Sequence, residues 1–311
     1  MTRLGVLLPT FDAMGVGGRP PLVQAAQAIE QHGFDAAWVG DHLHCPAPGL
    51  DAPTALAAAA AVTERVALGF SVMLLGLRQP AWAAKQLTTI DVLSGGRLVL
   101  GVGVGGEFPQ EYSASGVPLA QRGRRLDQVL EALPHLLTGQ PVHLGRGFEL
   151  DIPALAPAMA APPPLFVGGR GEAALRRAAR FGDAWLPMWL APEQVAQRSQ
   201  RLAELAEEHR RPRPKLALLL GVHVDEDAGR ARRAAADYIR GQYGMDFARV
   251  EHWTGLGEAE RIAEQLEGYL AVGVEEFVLM PLTGDPLTQI ARLAEVRERL
   301  LASMPVGGWT P

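Results

Sequence analysis

Residues that can transfer protons or bind metals are concentrated in the stretch VGDHLHC (39–45). It contains Asp41, His42, His44 and Cys45, the only cysteine of the chain. An imidazole titrates near neutral pH, so a histidine in a cleft can act as a general acid or base. A zinc site needs three or four converging ligands, whereas the side chains of adjacent residues diverge. The stretch therefore predicts no metal site, and it leaves two interpretations of His42: a proton-transfer group, or a ring satisfied by a backbone carbonyl.

The glycine run GVGVGG (101–106) matches the dinucleotide-binding pattern G-x-G-x-x-G. That pattern binds pyrophosphate when a helix begins directly after it, because the helix N-terminus holds the anion. Here the chain continues as EFPQEYSASGVP (107–118), with no helical periodicity before Arg122. The run therefore predicts either glycines that let a flat ring approach the backbone or glycines needed only for packing. Glu107, which follows the run, is either a proton relay or a surface carboxylate in a long loop.

A second glycine-rich stretch, VGGRGEAALRRAA (167–179), has the order expected of an anion site. An apolar run ends, Gly168 and Gly169 expose their amides, and a helical pattern begins at Glu172. Amides at a helix N-terminus attract phosphate, and Arg170 adds a positive charge beside them. The alternative is a purely structural turn.

All of these stretches follow short apolar runs, and the order of the runs predicts how they are positioned. Each run is continuously apolar, which is typical of parallel strands buried on both faces, and amphipathic helical segments separate the runs. The predicted strands are 4–8, 36–40, 66–74, 97–104, 164–168, 184–187, 215–222 and 276–280. This alternation favours an α/β fold, a (β/α)8 barrel forming one domain over residues 1–311, with a doubly wound sheet as the alternative. In a barrel the active site lies at the C-terminal ends of the strands, where these candidate residues fall.

Two segments interrupt the alternation of strands and helices. Residues 139–164 are Pro-rich and residues 241–257 are mixed and aromatic, and both are too long for ordinary connections. Long connections in a compact domain are often lids or binding loops. We therefore expect insertion segments at these positions.

The composition of the chain bears on which partners it can bind and on where in the cell we expect it. The chain has 29 basic and 34 acidic residues, a net charge of −5 and no basic stripe, so nucleic acid is not an expected partner. No segment approaches the roughly 20 apolar residues that span a bilayer, so no membrane partner is expected. One cysteine excludes an intramolecular disulfide, which favours a cytoplasmic location. Nothing near Cys45 would lower the pKa of its thiol, so we expect an inert side chain.

Long motifs connect the chain to a known family. They are AIEQHGFDAAWVGDH (28–42), AAAAAVTERVALGFSVMLLGLRQPAWAAKQLTTIDVLSGGRLVLGVGVGGEF (57–108), GVPLAQRGRRLDQVLEAL (116–133), PPPLFVGGRGEAALRRAARFGDAWLP (162–187) and YLAVGVEEFVLMPL (269–282). With these motifs in this order and spacing, the chain resembles the bacterial luciferase-like flavin-dependent oxidoreductases over nearly its whole length. The resemblance implies a (β/α)8 barrel that binds FMN or the deazaflavin F420 at its strand ends, acts on a small molecule and forms a homodimer.

By position, the resemblance assigns roles to residues at four strand ends. Asp41 would border the ring system of the deazaflavin, and His42 and Glu107 would serve as acid–base groups. Ser71 and Val72, followed by Met73, would form a bulge behind the ring, often with a non-prolyl cis peptide. The contacts to the ring and the ribityl chain would be Gly105, Gly106 and Glu107. The phosphate site would be formed by Val167, Gly168, Gly169 and Arg170.

The choice of flavin decides the reaction class. Asp-His after the second strand and Gly-x-Gly-x-Gly-Gly-Glu after the fourth resemble the F420-dependent branch, which transfers hydride. The main expectation is therefore F420-dependent hydride transfer; the alternatives are an FMN-dependent monooxygenase using reduced flavin and O2, and a flavin-free binding protein. The chain departs from the sugar-phosphate dehydrogenases of the F420 branch by an extra glycine before Glu107 and by Pro46 in place of a tryptophan. A small carbonyl compound or enone is thus expected rather than glucose 6-phosphate.

Overall fold

The predicted strand and helix units form a closed parallel barrel. The structure, a computed structural model, describes residues 2–145 and 148–303. Its strands are β1 (Arg3–Leu7), β2 (Ala36–Val39), β3 (Ala67–Phe70), β4 (Leu98–Val102), β5 (Val142–Leu144), β6 (Leu150–Ile152), β7 (Leu165–Gly168), β8 (Ala184–Leu186), β9 (Lys215–Val224), β10 (Gly255–Gly257) and β11 (Val274–Pro281). The parallel order β11-β1-β2-β3-β4-β7-β8-β9 closes on itself because β9 pairs with both β8 and β11. The prediction of a (β/α)8 barrel is confirmed.

Helices connect the strands and cover the outside of the barrel. They are α1 (Leu22–Gln31), α2 (Ala52–Ala60), α3 (Pro80–Ser94), α4 (Pro109–Ala114), α5 (Arg122–Leu137), α6 (Glu172–Phe181), α7 (Pro192–Glu208), α8 (Ala228–Tyr243), α9 (Ala259–Ala271) and α10 (Pro286–Ser303). Their ends follow local signals: the Asp51 side chain caps α2 by accepting a hydrogen bond from the Thr54 amide, and Gly95 ends α3 with a φ of 66°. Among the described residues, no helix is long and apolar enough to cross a membrane.

Residues alternate between two apolar layers along each barrel strand. On β2, Trp38 lies inside the barrel against the ring of Phe166, while its neighbour Val39 packs in the layer between strands and helices. A Cβ on Gly5 or Gly69 would come within 2.3 or 2.2 Å of the Trp38 ring, so the two flanking strands need glycine at these positions. The barrel interior is therefore a packed core and not a channel.

Two sequence expectations near the strand ends differ from the structure. The strand predicted at 66–74 ends at Phe70, because the chain leaves the regular ladder at residue 71 and rejoins it only through a single bridge between Met73 and Val102. The chain before Arg122 was expected to be a loop, but it contains α4, which begins at Pro109. Proline is favoured at the first position of a helix because its fixed φ suits the turn and its missing N–H is not needed there.

The two predicted insertion segments also have structure of their own. Segment 139–164 contains the antiparallel hairpin of β5 and β6, and residues 146–147 of it lie outside the described residues. Segment 241–257 is only partly a connection, because α8 continues to Tyr243 and β10 pairs in parallel with the end of β9. The last turn of α8 is thereby brought to the mouth of the barrel.

Candidate active site at the carboxyl end of the barrel

A cavity of about 260 Å³ opens at the carboxyl ends of the barrel strands. Its walls are the loops that follow six of the strands, together with the last turn of α8. Most of the residues predicted for the site border this cavity: Asp41, His42, Ser71, Val72, Gly105, Glu107, Gly168, Gly169 and Arg170. The structure therefore brings together residues that are up to 129 positions apart in the chain.

Three predicted cofactor contacts lie outside the cavity wall. Met73 and Val167 are fully buried in the apolar layer between strands and helices, and Gly106 lies beside the side chain of Arg122. Successive side chains of a strand point to opposite faces, so the side chain of Val167 points outward when its neighbours point inward. Neither Met73 nor Val167 can offer its side chain to a ligand in the cavity.

One wall of the cavity is formed by the bulge after β3. The peptide bond between Ser71 and Val72 is cis, as the resemblance implied. The Val72 side chain lies against two glycines: a Cβ on Gly103 would be 2.5 Å from Val72 Cγ2, and a Cβ on Gly168 would be 2.9 Å from Val72 Cγ1. These glycines make room for Val72, and the resulting wall has few projecting side chains. A flat ring fits against a wall of this kind.

Asp41 holds the chain that follows the bulge. Its side chain is almost fully buried, with Oδ2 accepting a hydrogen bond from the Leu74 amide at 2.9 Å and Oδ1 accepting one from Arg78 Nη2 at 2.7 Å. Burial alone would lower the pKa of Arg78, but the Asp41 carboxylate outweighs it and the pKa lies above its ordinary value. Asp41 borders the cavity with both oxygens engaged, and its contact with a flavin ring stays a prediction.

His42 is paired with a carboxylate that the sequence did not reveal. Its Nδ1 lies 3.2 Å from Oε1 and 3.3 Å from Oε2 of Glu111, whose side chain is completely buried. Because a carboxylate only accepts hydrogen bonds, Nδ1 carries the proton, and Nε2 of the neutral ring is left as a base. The rings of Phe108 and Phe11 pack on the imidazole with centroids 5.1 and 5.9 Å away. The partner of His42 is therefore a carboxylate and not a backbone carbonyl.

The short helix α4 connects the loops after β2 and β4. Glu111 Oε1 also accepts hydrogen bonds from the amides of Leu43 at 2.7 Å and His44 at 3.2 Å. The next residue, Tyr112, donates its hydroxyl to the carbonyl of Val104. Burial raises the pKa of Tyr112 to about 12, so this hydroxyl stays protonated and available as a donor. Two adjacent side chains of α4 thus fix two loops of the cavity.

A local signal for α4 is present in the sequence. Pro109 stands at the first helical position, and Gly116, with a φ of 65°, follows the last turn. Proline inside the start and glycine past the end of a segment are typical of a helix. At six residues, however, α4 is too short to show the periodicity on which the helix prediction relied.

Glu107, predicted as the second acid–base group, lies at the rim of the cavity and is exposed. The chain reaches it through Gly105 and Gly106, whose φ angles of 55° and 117° turn the backbone away from the strand direction. The extra glycine before Glu107 therefore lies in the turn that carries this carboxylate to the rim. Glu107 thus borders the cavity with an exposed side chain, and its role as a proton relay stays a prediction.

The other end of the cavity has the features of an anion site. The chain passes from β7 through Gly169, with a φ of 112°, into α6, and Trp185 Nε1 donates a hydrogen bond of 2.8 Å to the Gly169 carbonyl. The amides of Ala174 and Leu175 donate to the Gly171 carbonyl at 2.9 and 3.1 Å, so the first two amides of α6, those of Glu172 and Ala173, are the ones that a ligand could use. The carboxylate of Glu172, the first residue of α6, is held by ion pairs with Arg201 and Arg176. Its negative charge is therefore compensated.

An aromatic wall closes the cavity between β8 and α8. Trp189 adopts a φ of 54°, which is rare for a bulky residue, and its carbonyl accepts a hydrogen bond from Arg170 Nη1 at 3.4 Å. The rings of Trp189 and Tyr243 meet edge to face with centroids 5.4 Å apart. Burial raises the pKa values of Tyr243 and the neighbouring Tyr238 above their ordinary range, so both hydroxyls stay protonated. This wall of the cavity therefore consists largely of aromatic rings, with neutral hydroxyls as its tyrosine polar groups.

His44 and Cys45 do not border the cavity, although they follow His42 closely in sequence. The thiol of Cys45 donates a hydrogen bond to the Ala47 carbonyl at 3.1 Å, and burial raises its pKa above the ordinary value. In residues 2–145 and 148–303, no three histidine, cysteine, aspartate or glutamate side chains converge as a metal site would require. Of the polar residues in the stretch 39–45, Asp41 and His42 border the cavity.

Comparisons with known proteins agree with this geometry. The sequence model of the luciferase-like monooxygenase family matches residues 2–303. An uncharacterised protein of Mycobacterium tuberculosis is 39% identical over 153 residues, which are 49% of this chain and 52% of that protein. The 4-hydroxyprotoasukamycin monooxygenase of Streptomyces nodosus subsp. asukaensis is 31% identical over 249 residues, 76% of this chain and 65% of the relative. The chain thus spans between half and two thirds of the length of these curated relatives.

A solved structure shares the fold over almost the full length of both chains. It is an F420-dependent secondary alcohol dehydrogenase in complex with an F420–acetone adduct, with a TM-score of 0.82, 20% identity, and coverage of 96% of this chain and 99% of that one. At this identity the likeness concerns the fold. Because the family model extends over nearly every residue from the first strand to the last helix, the protein belongs to the luciferase-like monooxygenase family.

Proposed function

We propose that the protein is an F420-dependent oxidoreductase that transfers a hydride between the deazaflavin and a small organic substrate. The observation that carries the proposal is the pair formed by His42 and the buried Glu111, with Nδ1 of the imidazole 3.2 Å from the carboxylate. Moving a hydride to or from a carbinol carbon requires a group that takes or returns the hydroxyl proton. A histidine whose Nδ1 is fixed by a carboxylate presents Nε2 for that task.

The residues of the cavity fit a flavin cofactor. The wall at Val72, flanked by Gly103 and Gly168, suits a flat ring, because no Cβ can be added to these glycines without meeting the Val72 side chain. The turn from Gly168 into α6 and the nearby Arg170 suit a phosphate. When bound, F420 supplies a carbon that accepts or donates hydride and no ordinary flavin oxygen chemistry.

His42 would handle the proton of the reaction. In the oxidation direction, Nε2 takes the proton of the substrate hydroxyl while the carbinol carbon loses its hydride and the C=O bond forms. In the reduction direction, the imidazolium returns that proton to the carbonyl oxygen. Glu111 compensates the positive charge of the imidazolium, and the burial of its carboxylate keeps this attraction strong. Phe11 and Phe108 keep the ring in one orientation.

The apolar character of the remaining wall supports a small organic substrate. Trp189, Tyr243 and Met280 border the cavity on the side away from the bulge. Arg170, the only arginine or lysine among the described lining residues, belongs to the turn assigned to the phosphate, and its guanidinium lies 5.7 Å from the centroid of the Trp189 ring. We therefore expect an alcohol or carbonyl compound with an apolar body.

A second candidate function is an FMN-dependent monooxygenase that uses reduced flavin and O2. The relative from Streptomyces nodosus, which carries the name of a monooxygenase and matches 76% of this chain, favours it. The two candidates differ in the flavin that binds, so binding separates them.

The test is a fluorescence titration of the purified protein with F420 and with FMN. We expect F420 to bind in the micromolar range and FMN to bind more weakly. Binding of FMN alone would overturn the proposal in favour of the monooxygenase, and binding of neither flavin would favour a flavin-free binding protein. His42→Gln is the matched control, because it removes the base without touching the wall at Val72 or the turn into α6, and we expect it to bind F420 like the wild type.

A further inference from the structure

Gln242, in the last turn of α8, has a buried acceptor with no partner. The residue is 2% exposed and borders the cavity, yet its Oε1 makes no hydrogen bond with any described part of the chain. A buried amide oxygen without a partner is unfavourable, and a ligand that donates a hydrogen bond to it removes this penalty. The unpaired oxygen therefore points to a ligand.

The orientation of the Gln242 amide follows from its other partner. The thiol hydrogen of Cys45 is donated to the Ala47 carbonyl at 3.1 Å, so Sγ can only accept a further hydrogen bond. Gln242 Nε2 lies 3.8 Å from that sulfur and supplies the donor. Rotating the amide by half a turn would place two acceptors against each other. The chain of contacts thus keeps Oε1 as the atom left for a ligand.

The path of α8 places Gln242 on the substrate side of the cavity. The helix begins after β9 and ends against the loops that follow β1 and β2, since Gly241 packs on the carbonyl of Ala13 and Gln242 contacts Cys45. His42 also belongs to the loop after β2, whereas the wall suited to a flavin ring is built from the ends of β3, β4 and β7. Gln242 and His42 therefore approach the cavity from the same side.

We propose that Gln242 is a specificity-determining residue, whose Oε1 accepts a hydrogen bond from a second donor group of the substrate. The substrate class is an alcohol, or its carbonyl counterpart, that carries an additional hydroxyl or amine N–H on an apolar ring or chain. The proposal rests on the proposed function for the identity of the reacting group beside His42. A compound that lacks the second donor leaves Oε1 buried and unpaired, so it binds less well.

The residues around Gln242 indicate which kind of ligand body suits the site. Tyr243 follows it directly and meets Trp189 edge to face, while Tyr238 lies one turn earlier on α8. These rings offer apolar surface to the body of the ligand, whereas the amide oxygen accepts only from a donor. Cys45, which does not border the cavity, acts as a positioning residue that fixes the amide.

The test compares ligands that differ in one donor. Cyclohexanol, the three cyclohexanediol position isomers and 2-methoxycyclohexanol are titrated by calorimetry into protein saturated with the flavin that it binds, whether F420 or FMN, or into the protein alone if it binds neither. We expect at least one diol to bind about tenfold more tightly than cyclohexanol and than the methyl ether, the effect of satisfying one buried acceptor. Because binding is measured with either flavin, failure of the proposed F420 chemistry leaves this comparison intact.

Two pairs of variants assign the preference to Gln242. Gln242→Met keeps the length of the side chain without the amide, and we expect its ratio of diol to cyclohexanol affinity to fall to about one, with flavin affinity unchanged. Cys45→Ser retains a donor to Ala47 and an acceptor for the amide, so the ratio stays, whereas in Cys45→Ala it falls. The proposal is overturned if the wild type shows no preference for a diol, if Gln242→Met keeps the preference, or if that variant lowers flavin affinity instead. Should Gln242→Met fail to fold, equal ratios in the two Cys45 variants would overturn it.

Discussion

Glu107 and Glu111 follow the same barrel strand, four positions apart, and have opposite environments. Glu107 is exposed at the rim of the cavity, whereas Glu111 is 0% exposed and accepts hydrogen bonds from His42 and from two amides of the loop after β2. Family position assigned the acid–base role to Glu107. In the structure, however, the carboxylate in contact with His42 is that of Glu111, and this contact depends on burial and partners that the distance from a glycine motif does not reveal.

The largest effect on catalysis is expected from changes to His42 and its partner Glu111. His42→Gln should lower kcat/KM by about 10²–10⁴-fold, because it removes the base that takes the hydroxyl proton. Glu111→Gln should lower kcat/KM by about 100-fold. The double variant should be no less active than His42→Gln alone, since the two residues act as a unit. Steady-state kinetics with F420 and the diol that binds best gives kcat/KM for the wild type, the two single variants and the double variant. Multiplicative losses in the double variant would mean that Glu111 acts independently of His42.

A smaller effect is expected on folding stability. Glu111→Ala leaves the amides of Leu43 and His44 without their acceptor, so the free energy of unfolding should fall by about 1–3 kcal/mol. Glu107→Ala is the matched control on an exposed side chain, and its change should stay within about 0.5 kcal/mol. Urea denaturation followed by circular dichroism gives both values. Equal losses would remove the distinction between the two carboxylates.

The smallest effect concerns Tyr112, the neighbour of Glu111 on α4. Replacing it by Phe removes the hydrogen bond to the Val104 carbonyl and should lower the free energy of unfolding by about 1 kcal/mol near neutral pH. Because burial raises its pKa from 10.0 to about 12, the hydroxyl contributes stability that is present below pH 10 and lost as the pH rises towards 12. The difference in unfolding free energy between wild type and Tyr112→Phe should therefore shrink over this interval. A difference that is independent of pH would contradict the buried position of the hydroxyl.

The barrel could be predicted because each strand carries its own signal. Continuous apolar runs such as LVLGV in β4 are visible locally, and the residues that end them must meet at one face once the strands are parallel. This reasoning placed Asp41, His42 and Gly168 at the cavity from sequence order alone.

Glu111 and Gln242 could not be found in the same way. Both are polar residues buried by contacts that span 69 and 197 positions of the chain, and neither belongs to a strand end. Glutamate in a segment without periodicity is ordinarily solvated, so nothing local distinguishes Glu111 from Glu107. Gln242 was not recognised as part of a helix, because the predicted insertion segment begins at residue 241, whereas α8 continues to Tyr243.

The measurement that tests the central claim most directly is the ratio of kcat/KM between Glu107→Gln and Glu111→Gln in F420-dependent oxidation of the same alcohol. If proton transfer runs through His42 held by Glu111, Glu107→Gln should stay within about threefold of the wild type, as expected for an exposed side chain. The kcat/KM of Glu111→Gln should fall by about 100-fold, because His42, the general base, loses the carboxylate that orients it and compensates its charge. The reverse order, with Glu107→Gln strongly impaired and Glu111→Gln active, would contradict the assignment of the catalytic pair.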